Sequence, residues 1–184
     1  YAFIKGQIYD RLELKDSANM AYDEVIEMNR KSPRVYMINA YIAKAKNFDY
    51  DKEDRVAFLE LLTELEENRE NRPFLDKIYN QIGDYYRNSD SLDRAVEYYN
   101  KSIKNYKNDD YLQSMNYRTL AEFSFDDAEY KTAGAYYDST ITNQIRRHRY
   151  QQRQYFKVGE HERARTFGCI YCTCGTFKRT GEIR

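Results

Sequence analysis

The sequence has no tryptophan, two prolines and only seven glycines among 184 residues. With so few helix breakers and 33% charged residues, it favours helices over sheets. Apolar runs are a few residues long at most, too short for a membrane-spanning helix. Residues 1–143 contain neither histidine nor cysteine, which removes the commonest general bases, nucleophiles and soft metal ligands. A Gly-rich phosphate loop is also missing. No signal peptide is visible, but Tyr1 is not a natural start. The chain reads as a fragment, so that absence excludes nothing.

Against these absences stand twenty tyrosines. Tyr is large and amphipathic, and it packs between helices or lines a groove with its hydroxyl at the surface. Charge is unevenly placed. Of 30 basic and 30 acidic residues, 10 and 3 fall in 144–184, which leaves 20 and 27 in 1–143. An acidic body precedes a basic tail, and the composition changes near Asn143.

The body is organised around Asp76 to Lys107. Here Tyr79-x-x-Ile82-Gly83-x-x-Tyr86 is followed by Ala95-x-x-x-Tyr99. Gly83 and Ala95 are the small residues of two successive helices and permit close approach, while Tyr79, Ile82, Tyr86 and Tyr99 fill the space beside them. Leu92, Ala95, Val96, Tyr99, Ser102, Ile103 and Tyr106 form one 3.6-period stripe, which predicts an amphipathic helix over 92–106. Residues 88–91 supply the turn, with Ser91 as N-cap. This order of aromatic, aliphatic, Gly, Tyr, Ala and aromatic resembles the tetratricopeptide (TPR) repeat. One hairpin cannot bury both faces, so neighbours of the same kind are expected.

Gly6, Tyr9, Ala18 and Tyr22 repeat the pattern near the start, and Ala121, Ala133 and Tyr137 repeat it after residue 112. Gly6 to Ala18, Gly83 to Ala95 and Ala121 to Ala133 are each 12 residues apart. Residues 34–67 read as a looser copy opened by Pro33, with Tyr36, Ala40 and Ala43 on its first helix. Its second helix places Val56, Leu59, Leu62, Thr63 and Glu66 on one face, with Ala57, Leu61 and Leu65 beside it. The spacing from Ala40 to Ala57 is 17, and residues 47–51 account for the insertion. Residues 69–72 read as a polar linker, and Pro73 opens the next repeat. The expectation is an all-α, right-handed superhelix of about four hairpins at 1–31, 34–67, 74–107 and 112–143.

Several stretches resemble a narrower family. Phe3-Ile4-Lys5-Gly6-Gln7, the run from Ile42 to Tyr50, the runs Phe58 to Leu62 and Asn71 to Leu75, and Asp126 to Gly134 are similar to TPR lipoproteins of gliding Bacteroidetes. The resemblance covers about residues 1–143. It implies a protein of type IX secretion and gliding motility at the periplasmic face of the outer membrane. Membrane attachment would come only through a lipid anchor outside this fragment, and the partners would be secretion or motility proteins.

The tail departs from that family. Cys169-x-x-Cys172-x-Cys174 with His161 upstream could make a tetrahedral zinc site, although the spacing lacks paired knuckles. Tyr150, Tyr155, Phe156 and Phe167 among basic residues could suit nucleic acid. A third reading fits the abrupt change better: residues 144–184 are a frameshifted or unrelated end, with part of 144–158 helical against the last repeat.

In the body, Glu60, Glu64, Glu66, Glu67, Asp126 and Asp127 read as solvated helix faces rather than an acid/base pair. No enzyme, cofactor, metal or nucleic-acid partner is expected. The candidate site is the concave groove lined by the first helix of each hairpin. By position it comprises Lys77, Asn80, Asp84 and Arg87 in the third repeat and Arg118, Glu122 and Phe125 in the fourth. Mixed charge and amides suit an extended peptide or a partner loop. The alternative is a general adaptor or co-chaperone for extended peptides. Its acid-binding form would concentrate Lys and Arg on the concave helices.

Overall fold

A computed structural model of the chain describes residues 1–107 and 109–149. Its helices are α1 (Ala2–Arg11), α2 (Lys15–Glu27), α3 (Arg34–Asn47), α4 (Arg55–Glu67), α5 (Leu75–Asn88), α6 (Leu92–Lys104) and α7 (Asp110–Asp126). An eighth, α8, occupies residues 130–149. Short 3-10 turns at Asn29–Lys31 and Arg69–Phe74 join the first three hairpins. The result is an all-α solenoid of helical hairpins, and no strand occurs among the described residues.

Three hairpins turn in the same way. Glu13, Asp90 and Ala128 all adopt positive φ, at 58°, 54° and 61°. Each lies seven residues after Gly6, Gly83 or Ala121. The N–H of the next residue reaches back to the helix it left: Leu14 to Tyr9 at 3.0 Å, Ser91 to Tyr86 at 2.9 Å, and Glu129 to Ser124 at 2.8 Å. This is the Schellman closure of a helix C-terminus, in which a left-handed residue lets the chain reverse while the last carbonyls stay satisfied. Ser91 does occupy the N-cap position of α6, but its side chain makes no capping bond.

In the first and third hairpins a tyrosine lies over a glycine. A Cβ built on Gly6 would meet the Tyr22 ring at 2.5 Å, and one on Gly83 would meet the Tyr99 ring at 2.9 Å. Both rings are almost wholly buried. The missing Cβ is what lets the ring seat. In the fourth hairpin Ala121 occupies the glycine position, and the corresponding Tyr137 is exposed. There Tyr136 faces inward instead, 6.2 Å from Tyr117, so the expectation that Tyr137 closes this repeat is corrected.

The second hairpin departs furthest. The loop 48–54 has no left-handed residue, and α3 and α4 barely touch along their backbones. Phe48 stacks on Phe58 with centroids 4.0 Å apart, and Tyr50 and Tyr85 meet Phe58 edge-on or tilted. This aromatic wedge holds the two helices apart, and α4 packs on α5 instead. The buried face of α4 is Phe58, Leu62 and Leu65, while Val56, Ala57 and Thr63 are exposed. Ala57 is therefore no partner of Ala40, which packs with Ala2, Ala18, Tyr22 and Val25 of the first hairpin. Both corrections have one cause: the buried stripe of α4 is rotated about one position from the face that its 3.6-residue period predicts.

The linker 69–72 is not simply solvated. Asn71 is fully buried, accepts from Arg34 Nε at 2.8 Å and donates to the Leu65 carbonyl at 2.8 Å. It ties α3, the end of α4 and the entry to α5 together. At the other end, α8 continues through residue 149 without a break at Asn143. Arg146 approaches Asp110 at 3.6 Å, and Arg147 lies over the Tyr111 ring at 4.6 Å. Residues 150–184, with Cys169, Cys172, Cys174 and His161, lie outside the described residues.

Candidate functional site

The first helices α1, α3, α5 and the start of α7 enclose a groove of about 680 Å³. Phe3, Gln7, Asp10 and Arg11 come from α1; Asn39, Ile42, Ala43, Lys46 and Asn47 come from α3; Lys77, Asn80 and Gln81 come from α5. Asp109, Tyr111 and Leu112 close it at the α7 end.

Behind Asn80 and Gln81, which line the groove, runs a polar network built from α5, α6 and α7. Ser102 Oγ of α6 donates to the Asp76 carbonyl at 2.5 Å, and Asn116 of α7 donates to Ser102 Oγ at 2.7 Å. Asn80 donates to Asn116 at 2.7 Å. Gln81 donates to both Asn80 and Asp84 at 3.0 Å, and the Tyr99 hydroxyl donates to Asp84 at 2.6 Å. Asn116 and Ser102 are buried, so each of these bonds offsets a desolvation cost that would otherwise reach about 1–3 kcal/mol per polar group. Burial raises the Asp84 carboxyl above its ordinary 3.8, against the Tyr99 hydrogen bond and the Arg87 charge, which lower it. Burial and the Asp84 charge push the Tyr99 hydroxyl upward, so it stays protonated as a donor.

The acids that line the groove are committed to internal bonds. Asp10 accepts from Tyr22 and from Asn47, the latter at 2.8 Å. Asp109 caps α7 by accepting from the Leu112 N–H at 3.1 Å. The cations are less committed. Lys77 donates to Asn39 at 3.3 Å, while the Arg11 and Lys46 side chains are exposed at the rim. A ligand entering the groove meets cations and amides more readily than free carboxylates.

The seven residues expected from sequence do not form one strip. Lys77 and Asn80 line the groove. Asp84 turns toward α6 to hold Tyr99. Arg87, Arg118 and Glu122 form a separate cluster, with Glu122 3.0 Å from Arg118 and 3.8 Å from Arg87. Arg87 also lies over the Phe123 ring at 5.8 Å. Phe125 is exposed at the end of α7, edge-on to Tyr130 at 5.4 Å. The α1 and α3 half of the groove was missed. The signal was present: Phe3 stands in the same register to Gly6 as Asn80 does to Gly83.

Residues 1–32 and 76–109 match the family model of the tetratricopeptide repeat. Those two segments are TPR repeats. The matched segments are the two hairpins in which a tyrosine seats on a glycine, while the splayed second hairpin and the Ala121 hairpin fall outside them. The crystal structure of MamA is similar in fold, with a TM-score of 0.55 at 15% identity over 80% of this chain and 79% of that chain. No curated protein matches. A helical-repeat solenoid of this kind serves as a scaffold for protein–protein interaction. Among the described residues, no cluster of His, Cys, Asp and Glu is placed to hold a metal, and no helix is long and apolar enough to cross a membrane.

Proposed function

We propose that this chain is a non-enzymatic scaffold that binds an extended segment of a partner protein in the groove of α1, α3, α5 and α7. The observation that carries the reading is the groove itself: about 680 Å³, lined by amides of which Asn80 and Gln81 are held by hydrogen bonds behind them, with its carboxylates already committed. Amide side chains such as Gln7 and Asn39 can satisfy the main-chain groups of an extended peptide, whose backbone must otherwise give up water unpaired.

The finer reading is that the scaffold supports type IX secretion and gliding motility from the periplasmic face of the outer membrane. It rests on the resemblance of residues 1–143 to the TPR lipoproteins of gliding Bacteroidetes. A pull-down of the full-length protein from its native envelope tests it. Recovery of secretion-channel or motor proteins, reduced by Lys77→Glu, is the expected result. Recovery of cytosolic chaperones alone would sink this reading.

One observation favours the general peptide adaptor as a second reading. Arg11, Lys46 and Lys77 bring basic charge to a groove whose acids are committed elsewhere. Binding of unrelated acidic peptides with affinities similar to that for the envelope partner would favour it.

A further inference from the structure

The splayed second hairpin opens a second cavity, away from the groove. It holds about 430 Å³ between α2, α3 and α4. Its floor is apolar: Ile26, Tyr41, Phe48, Phe58, Leu61 and Leu65 line it. It exists because the aromatic wedge of Phe48, Tyr50 and Phe58 sends α4 toward α5, so the outer helices α2 and α4 do not close on each other. Its size falls within the usual ~300–1,000 Å³ range of binding pockets.

Its walls are acidic. Helix α2 carries Lys15 against Asp16, Asp23, Glu24 and Glu27. Helix α4 carries Arg55 against Glu60, Glu64 and Glu67 beyond the apolar residues that line the cavity, while Glu66 lies beside Tyr79 and Lys101 on the α5–α6 side. Asp23, Glu53 and Asp54 stand at the cavity itself: Asp23 pairs with Lys44, Glu53 accepts from the Asp49 N–H and Asp54 caps α4, which leaves three acids against Lys44, the one cation lining it among the described residues. An apolar floor between two negatively charged helices is complementary to a segment with bulky apolar side chains on one face and Lys or Arg on the other. Like charges across such an interface cost several kcal/mol, so an acidic segment is rejected.

We propose that this crevice is a second docking site, and that its occupant is a basic amphipathic segment of a partner protein whose apolar side chains enter between α2 and α4. The scaffold would then hold two segments at once: an extended one in the inner groove and a cationic amphipathic one in the outer crevice. Two tethered contacts raise avidity through effective concentration without any new contact.

The absence of tryptophan from the chain provides the assay. A Leu/Lys amphipathic peptide carrying one Trp is titrated with the protein, and the Trp emission reports its burial. The expected result is a blue shift that weakens with salt, little response from a Leu/Glu peptide, and at least about tenfold weaker binding to Ala57→Phe. Ala57 is exposed at the crevice rim, so a Phe there fills the opening without displacing buried atoms. Circular dichroism checks that the variant is folded. Glu53→Gln provides a second variant, expected to weaken binding and flatten the salt dependence. Three outcomes overturn the proposal: no shift with the wild-type chain, equal binding of the Leu/Glu peptide, or equal binding by Ala57→Phe. Sedimentation without peptide adds a fourth, a dimer abolished by Ala57→Phe, which would make the occupant a second copy of the chain.

Discussion

Three glycines lie within helices among the described residues, and the structure predicts opposite responses to the same substitution. Replacing a mid-helix glycine by alanine stabilises by about 1 kcal/mol when nothing interferes. Gly134 is that case, because a Cβ there meets no atom within 4 Å. At Gly83 the new Cβ would stand 2.9 Å from a ring atom of Tyr99, closer than packed carbons tolerate. Tyr99 is 1% exposed and its hydroxyl is tied to Asp84, so the ring cannot swing away freely. Overpacking costs about 1–3 kcal/mol, and the helix gain offsets part of it. Gly83→Ala is therefore expected to be destabilising by about 0–2 kcal/mol net. Gly6→Ala is worse, with three Tyr22 ring atoms between 2.5 and 2.8 Å. Thermal and urea unfolding of the three variants tests the order. For a chain of this size, 1 kcal/mol moves Tm by about 2–4 °C. Tyr99→Leu removes the ring, and in that background Gly83→Ala should turn stabilising, with a coupling energy measurable in a double-mutant cycle. If Gly83→Ala raises Tm as much as Gly134→Ala does, the ring-on-glycine seat is not what closes these hairpins.

Four further predictions follow from other parts of the fold. Ala128 holds a left-handed conformation at φ 61°, so Ala128→Gly should stabilise by about 0.5–1 kcal/mol in urea unfolding, whereas Ala128→Val should destabilise. Asn71→Leu leaves the buried Leu65 carbonyl without its Asn71 donor and Arg34 with Glu70 alone, and should cost about 1–3 kcal/mol by the same measurement. The Asp84 carboxyl is raised above 3.8 by burial, so the folded chain holds that proton more tightly than the unfolded one. Its contribution to stability is greatest below 3.8 and is lost as pH rises through the folded value. Asp84→Asn keeps an acceptor for Tyr99, so its stability relative to wild type should rise as pH increases above 3.8. A difference that does not change with pH would refute the burial argument. Lys46→Glu with Lys77→Glu should weaken an acidic groove peptide by at least about tenfold in calorimetry, leaving the melting curve near wild type.

The sequence carries a great deal of this fold because the constraint is local and repeats. Gly6, Gly83 and Ala121 each lie 12 residues before an alanine and seven before a left-handed turn residue. Hairpin closure depends on contacts within about 30 residues, so spacing alone reports it. Where the spacing was irregular, at 34–67, the phase of α4 came out wrong. Val56 and Ala57 looked like core by period, but the wedge around Phe58 rotates that face outward.

The groove is different in kind. Sequence register could say that Lys77, Asn80, Asp84 and Arg87 lie on a first helix, but not which of them meet solvent. Asp84 and Tyr99 are 15 residues apart, and Asn80 and Asn116 are 36 apart. Only packing of α5 against α6 and α7 decides that these polar groups satisfy one another while Arg11 and Lys46 remain at the rim. The sequence by itself determined that this is a stack of helical hairpins. The tertiary structure decided how wide the second hairpin opens, which acids are committed and which cations face a ligand. Those outcomes depend on side chains meeting across helices distant in sequence, where no short-range period records them.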